Sequence, residues 1–151
     1  MSLICNARNL VIAIGLCLGT LAPSLAQEMV SIKGSTVNMR AGPSTNSAVL
    51  WELDKGYPLQ VIKRKGNWLQ VRDFENDRGW VARSLTHKVP YYIVKASVAN
   101  VRRGPGMQHR IVGKAEQVEL LRTREKKGNW VRVERNNGPS GWIAKSLLWG
   151  W

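Results

Sequence analysis

The chain has 151 residues, with 23 Lys and Arg against 10 Asp and Glu, giving a formal charge of +13 and a pI of about 10.5. A cation of this kind is drawn to any polyanion, so composition does not choose between nucleic acid, anionic lipid and an anionic cell wall. Both cysteines, Cys5 and Cys17, lie near the N-terminus, which excludes a disulfide-rich scaffold.

Residues 1–26 have the layout of a secretory leader. Arg8 precedes an apolar run from Leu10 to Ala22, Pro23 breaks it, and Ser24 and Ala26 put small residues at −3 and −1 of a cut before Gln27. The run is short for a membrane span of about 20 residues. An uncleaved N-terminal anchor is the alternative reading. Leu16, just before Cys17, argues against lipid attachment there. Cleavage would remove both cysteines and one base, leaving a charge of +12 and no thiol for catalysis or metal binding. Export also makes a wall or membrane surface the expected counter-charge in place of nucleic acid.

The remainder is written twice. Thr36 to Ser44 returns as Val98 to Gly106, Lys65-Gly-Asn-Trp68 as Lys127-Gly-Asn-Trp130, and Arg78 to Leu85 as Ser140 to Leu147. Asn38 and Asn100, Trp68 and Trp130, and Trp80 and Trp142 are each 62 residues apart. Three blocks at one offset predict a small domain in duplicate. The expected organisation is a leader over 1–26, domains over 27–86 and 91–151, and a linker over 87–90. Units of about 60 residues bury only about 60% of their unfolded surface, so each large side chain matters.

In chain order, Gln27 to Ser31 reads as a lead-in to the first strand and Thr36 to Met39 as a short alternating strand. Gly42-Pro43 punctuates a loop over Arg40–Ser47. Strands follow at Ala48–Leu53, Leu59–Lys63, Trp68–Arg72 and Trp80–Ala82, separated by turns at Asp54-Lys-Gly56 and Lys65-Gly-Asn67 and a hairpin loop at Glu75–Gly79. Arg83–Leu85 reads as one helical turn. The second unit repeats this from Tyr91, with the Asp-Lys-Gly turn lost and a strand over Val118–Leu121. About five short strands per unit and no helical period predict an all-β chain of two small, partly open barrels.

The motifs Val37-Asn-Met-Arg-Ala-Gly-Pro-Ser44, Gly66-Asn-Trp-Leu-Gln-Val71, Gly79-Trp-Val-Ala82 and Ser84-Leu85 resemble those of the bacterial SH3-like domain. Asn100-Val-Arg102, Gly128-Asn-Trp130, Val133 and Gly141-Trp-Ile-Ala144 repeat the resemblance. It implies two tandem SH3-like barrels and a role in binding, often as a wall-targeting or scaffold module.

No catalytic constellation is legible. His87 and His109 are isolated, metal ligands do not cluster, and Glu75 with Asp77 reads as a solvated turn. No cofactor is expected. Candidate ligand-binding residues are Arg40 and Arg102, whose guanidinium forks match carboxylates, with loop carbonyls as the alternative partners. Trp51, Tyr57, Tyr91 and Tyr92 join them because they lack a matched aromatic in the other repeat, so they read as exposed anchors. Trp149 and Trp151 lie past the repeat and either cover the second barrel or face a partner. The four matched tryptophans read as core. Expected partners are cell-wall glycan or stem peptide, or an envelope protein. Peripheral contact with anionic membrane is a third reading.

Overall fold

A computed structural model describes residues 26–151, so the leader expected over residues 1–26 lies almost wholly outside them. The chain forms two seven-stranded antiparallel sheets, one per repeat. The first contains β1 (Met29–Ile32), β2 (Thr36–Arg40), β3 (Val49–Asp54), β4 (Pro58–Lys65), β5 (Trp68–Arg72), β6 (Arg78–Ala82) and β7 (Thr86–His87). The second contains β8 (Tyr91–Val94), β9 (Val98–Arg102), β10 (Ile111–Glu116), β11 (Leu120–Lys127), β12 (Trp130–Glu134), β13 (Gly141–Ala144) and β14 (Leu148–Gly150). The strand orders match: β3-β2-β6-β5-β4-β1-β7 and β10-β9-β13-β12-β11-β8-β14. The main strands fall where alternation and turn residues predict them. β1 and β7, with β8 and β14, add the short closing pairs.

Each sheet wraps one apolar core. Ile32, Met39, Leu59, Leu69, Val71 and Val81 fill the first, and Val94, Val101, Leu121, Val131, Val133 and Ile143 stand 62 residues later in the second. Three positions trade volume. Val30, Val37 and Leu53 become Tyr92, Ala99 and Ala115, so one large ring stands in the core where two other side chains shrink. Tight packing makes such trades tolerable only when the total is kept.

Several expectations change here. Tyr92 is 1% exposed and is core, so it offers no exposed anchor. The tryptophans go the other way: Trp68, Trp80 and Trp130 are half-buried, and Trp142 alone of the four is buried. Strand parity is the reason. In β5 and β6 the inward places belong to Leu69, Val71, Gly79 and Val81, which leaves the tryptophans on the opposite face.

The turn expected to be lost in the second unit is also present. Val118 N donates to Val94 O at 2.9 Å, as Gly56 N donates to Ile32 O at 2.8 Å. Val118 therefore takes the left-handed backbone of Gly56, with φ of 69° against 88°. A β-branched residue rarely adopts that conformation. The main-chain bonds around the turn hold it there, so the 118–121 stretch is a turn followed by β11.

The joint between the sheets is fastened by side chains. Ser31 Oγ donates to Val89 O at 2.5 Å and lies 3.0 Å from His87 Nδ1. With its only proton committed to Val89, Ser31 accepts from His87, which fixes the proton on Nδ1. The His87 ring stacks on Tyr91 at 6.5 Å, and Tyr91 lies directly over Gly56 of the first sheet.

Candidate functional site

The two sheets present the same row of side chains on the face away from the core. In the first, the cross-strand register runs Val49–Arg40–Trp80–Gln70–Lys63. In the second it runs Ile111–Arg102–Trp142–Arg132–Glu125. Directly opposed residues share a face, so each row is one continuous strip of surface centred on tryptophan. Gly79 and Gly141 precede these tryptophans for a steric reason. A Cβ at Gly79 would lie 2.5 Å from Met39 Cγ, and one at Gly141 2.5 Å from Arg102 O.

Arg40 and Arg102 are the fixed members of the rows. Arg40 Nη1 donates to Ser47 O at 2.9 Å, and Arg102 Nη1 donates to His109 O at 2.9 Å and to Met107 O at 3.0 Å. Both arginines therefore hold the Gly-Pro loop in shape, the alternative role open to them in the sequence, and both remain half-buried in the strip.

Beside the first row lies an apolar edge. β3 ends the hydrogen-bonded order of its sheet, and the register slips by one residue at Leu50. A bulge breaks strict alternation and can leave neighbouring side chains outside together. Val49, Leu50 and Trp51 are 46%, 44% and 53% exposed. Trp51 is thus an exposed aromatic side chain, and its counterpart in the second unit is Gly113.

Beside the second row lies a charged groove of about 330 Å³. Arg103, Arg110 and Arg132 line it with Val112, Pro139 and Trp142. The sequence alone did not bring these three arginines together as a set. The signal was present in the repeat itself, because the matched residues of the first unit are Ala41, Ala48 and Gln70.

The remaining candidates serve structure. Tyr57 packs on the first core, and its hydroxyl lies 3.5 Å from Asp73 Oδ2. Burial, reinforced by the Asp73 charge, pushes the Tyr57 hydroxyl above the ordinary tyrosine range. Asp73 Oδ1 accepts the backbone N–H of Glu75 and of Asp77, each at 2.9 Å, and so shapes the β5–β6 hairpin. Burial raises the Asp73 carboxyl above its ordinary value. The carboxyl oxygens of Asp73, Glu75 and Asp77 converge within 4.8 Å, and this turn accounts for their meeting. In the second unit the same two places hold Glu119 and Arg135, paired at 2.7 and 3.0 Å. Tyr91 belongs to the joint. Trp151 covers the second core and accepts the Tyr92 hydroxyl on its carbonyl, while Trp149 lies half-buried in β14, opposite Ile93.

Comparison with known proteins adds three findings. Residues 33–88 and 95–150 each match the sequence profile of a family described as the bacterial SH3 domain. A protein of Bacillus subtilis (strain 168) whose name reads "Putative N-acetylmuramoyl-L-alanine amidase YrvJ" is 24% identical over 134 residues, which cover 82% of this chain and 26% of that one. Two solved structures are similar in part: NlpC2 from Trichomonas vaginalis (14% identity, TM-score 0.37, 83% of this chain and 49% of that one) and an NlpC/P60 family protein from Bacillus cereus ATCC 10987 (16%, 0.36, 81% and 56%). The chain spans about a quarter of the amidase and about half of each solved chain.

Proposed function

The chain belongs to the bacterial SH3 domain family, and from that premise we propose that it is an exported, non-catalytic module that binds the cell wall, with peptidoglycan as its ligand. The observation that carries this reading is the duplicated strip, with half-buried Trp80 at its centre in the first barrel and the more deeply covered Trp142 at the matched place in the second. Aromatic faces and flanking guanidinium groups suit a polymer that alternates sugar rings with carboxylate-bearing peptides. The amidase relative supports the same reading, since its name describes a wall enzyme and this chain aligns with only a quarter of its length. In the hydroxyl–imidazole pair of Ser31 with His87, Ser31 is fully buried in the joint with its proton donated to Val89 O, and the Asp73 carboxylate of the hairpin is occupied with backbone N–H groups. Two barrels on a short, fastened joint add avidity when both reach the same polymer.

Retention on purified, protein-free sacculi across a salt series tests this. Binding that persists at about 0.3 M salt, where the screening length is well under 10 Å, supports a specific wall site. Loss of all binding at moderate salt, or none at any salt, refutes it.

A second reading rests on the β3 edge. An exposed edge strand carrying Val49, Leu50 and Trp51 also suits an extended segment of an envelope protein added as a further strand. A stoichiometric protein partner from envelope extract, without sacculus retention, would favour it.

A further inference from the structure

We propose that the groove of the second barrel is a carboxylate site that takes the free C-terminus of a short peptide, and that the first barrel lacks this specificity. The inference deepens the wall-binding reading and rests on it for the source of the peptide. Its basis is the contrast between two otherwise matched surfaces. Arg103 N donates to Arg110 O at 3.0 Å, and Ala41 N donates to Ala48 O at 2.9 Å. Arg132 pairs with Trp142 in the register that joins Gln70 to Trp80. The backbones correspond while the side chains differ at three places: Ala41, Ala48 and Gln70 become Arg103, Arg110 and Arg132. The first surface also carries Asp77 and Arg78 where the second has Pro139 and Ser140. These five places, together neutral in the first barrel, thus carry three positive charges in the second, with no acid among the residues lining the groove, while Glu125 stands at its margin where the first row has Lys63.

These charges are available to a ligand. The Arg103 and Arg110 guanidinium groups are exposed, and neither enters the side-chain bonds or ion pairs of the described residues. Arg132 faces Glu125 at 3.8 Å with both side chains more than half exposed. An exposed pair at that length holds little, so it does not withhold Arg132 from an anion. Three like charges around one groove repel one another until an anion enters, and arginine forks suit the two oxygens of a carboxylate. The apolar members decide between anions. Val112, Pro139 and Trp142 give the groove walls that a methyl-bearing peptide end would cover and that a bare phosphate would leave in water. A volume of about 330 Å³ gives room for a short peptide terminus.

The test titrates the intact protein with alanylalanine, with alanylalanine amide and with inorganic phosphate, following backbone amide chemical shifts by NMR. The free acid is expected to shift Arg103, Arg110 and Trp142, and the amide to bind at least about tenfold more weakly, as loss of a charge-assisted contact implies. The triple variant Arg103→Ala, Arg110→Ala, Arg132→Gln uses the residues that the first barrel tolerates at the same backbone positions, and it should lose the response. The reciprocal triple Ala41→Arg, Ala48→Arg, Gln70→Arg should confer it on the first barrel. Equal binding of acid and amide, phosphate binding as tight as the acid, an unaffected triple variant, or no response to any probe each overturns the proposal. Sacculus retention without a peptide response would leave the wall reading standing and remove this one. A peptide response without sacculus retention would do the reverse.

Discussion

Gly56 and Val118 occupy matched turns, yet substitution should be costly at the first and nearly neutral at the second. At Gly56 a Cβ would lie 2.5 Å from Tyr91 Cε1 and 2.7 Å from Cδ1, closer than real contacts allow. The φ of 88° adds the left-handed cost of roughly 1–2 kcal/mol, offset by about 0.5–1 kcal/mol from the lost flexibility of glycine in the unfolded chain. Displacing a packed ring costs roughly 1–3 kcal/mol more. Gly56→Ala should therefore lose about 2–4 kcal/mol by urea denaturation followed through tryptophan fluorescence. In a Tyr91→Ala background the ring is gone, so the same change should cost only about 1 kcal/mol. That leaves a coupling of about 1–3 kcal/mol, within the range for residues in contact. Val118 already carries a side chain in this conformation and is 50% exposed. Relief of strain and the loss of half-buried surface nearly cancel there, so Val118→Gly should stay within about 1 kcal/mol of the parent. Additive effects of Gly56→Ala and Tyr91→Ala would refute the contact between the sheets and the reasoning built on it.

Tyr92→Ala removes a ring that stands where Ala99 and Ala115 leave space, and it should cost about 3–5 kcal/mol and unfold the second barrel first, read by denaturation or amide exchange. Asp73→Ala orphans the N–H groups of Glu75 and Asp77 and should cost about 1–3 kcal/mol, whereas Asp73→Asn keeps an acceptor for both. Burial raises the Asp73 carboxyl in the folded state, so its contribution is fully present at acid pH and is lost as pH rises through the folded value. The Asn variant should accordingly gain on the parent as pH climbs through the carboxylate range, and a flat difference between pH 3 and 7 in denaturation midpoints would contradict this. Trp51→Ala should weaken sacculus retention at fixed salt with stability unchanged within about 0.5 kcal/mol, because the side chain is 53% exposed.

Much of the architecture follows from the chain alone. The 62-residue offset, the Gly-Asn-Trp turns and the alternation in Trp68–Arg72 set two all-β units and their main strands, because local propensity and turn chemistry act over a few residues. Comparing the repeats also exposes Ala41 against Arg103 and Gln70 against Arg132 before any fold is known. What stayed hidden depended on which side of a strand faces inward. Tyr91-Tyr-Ile-Val94 is apolar throughout, so its parity is set only by pairing with β11 and β14, which puts Tyr92 inside and Tyr91 at the joint. Trp68 and Trp80 read as core by size, but Leu69, Val71 and Val81 already hold the inward places of the first barrel. Arg40 and Arg102 carry the same charge wherever they sit, and only loop closure brought Ser47 and His109 carbonyls to them. Val118 looked like a strand residue because propensity disfavours it in a turn, and the surrounding main-chain bonds, made between distant strands, overruled that preference.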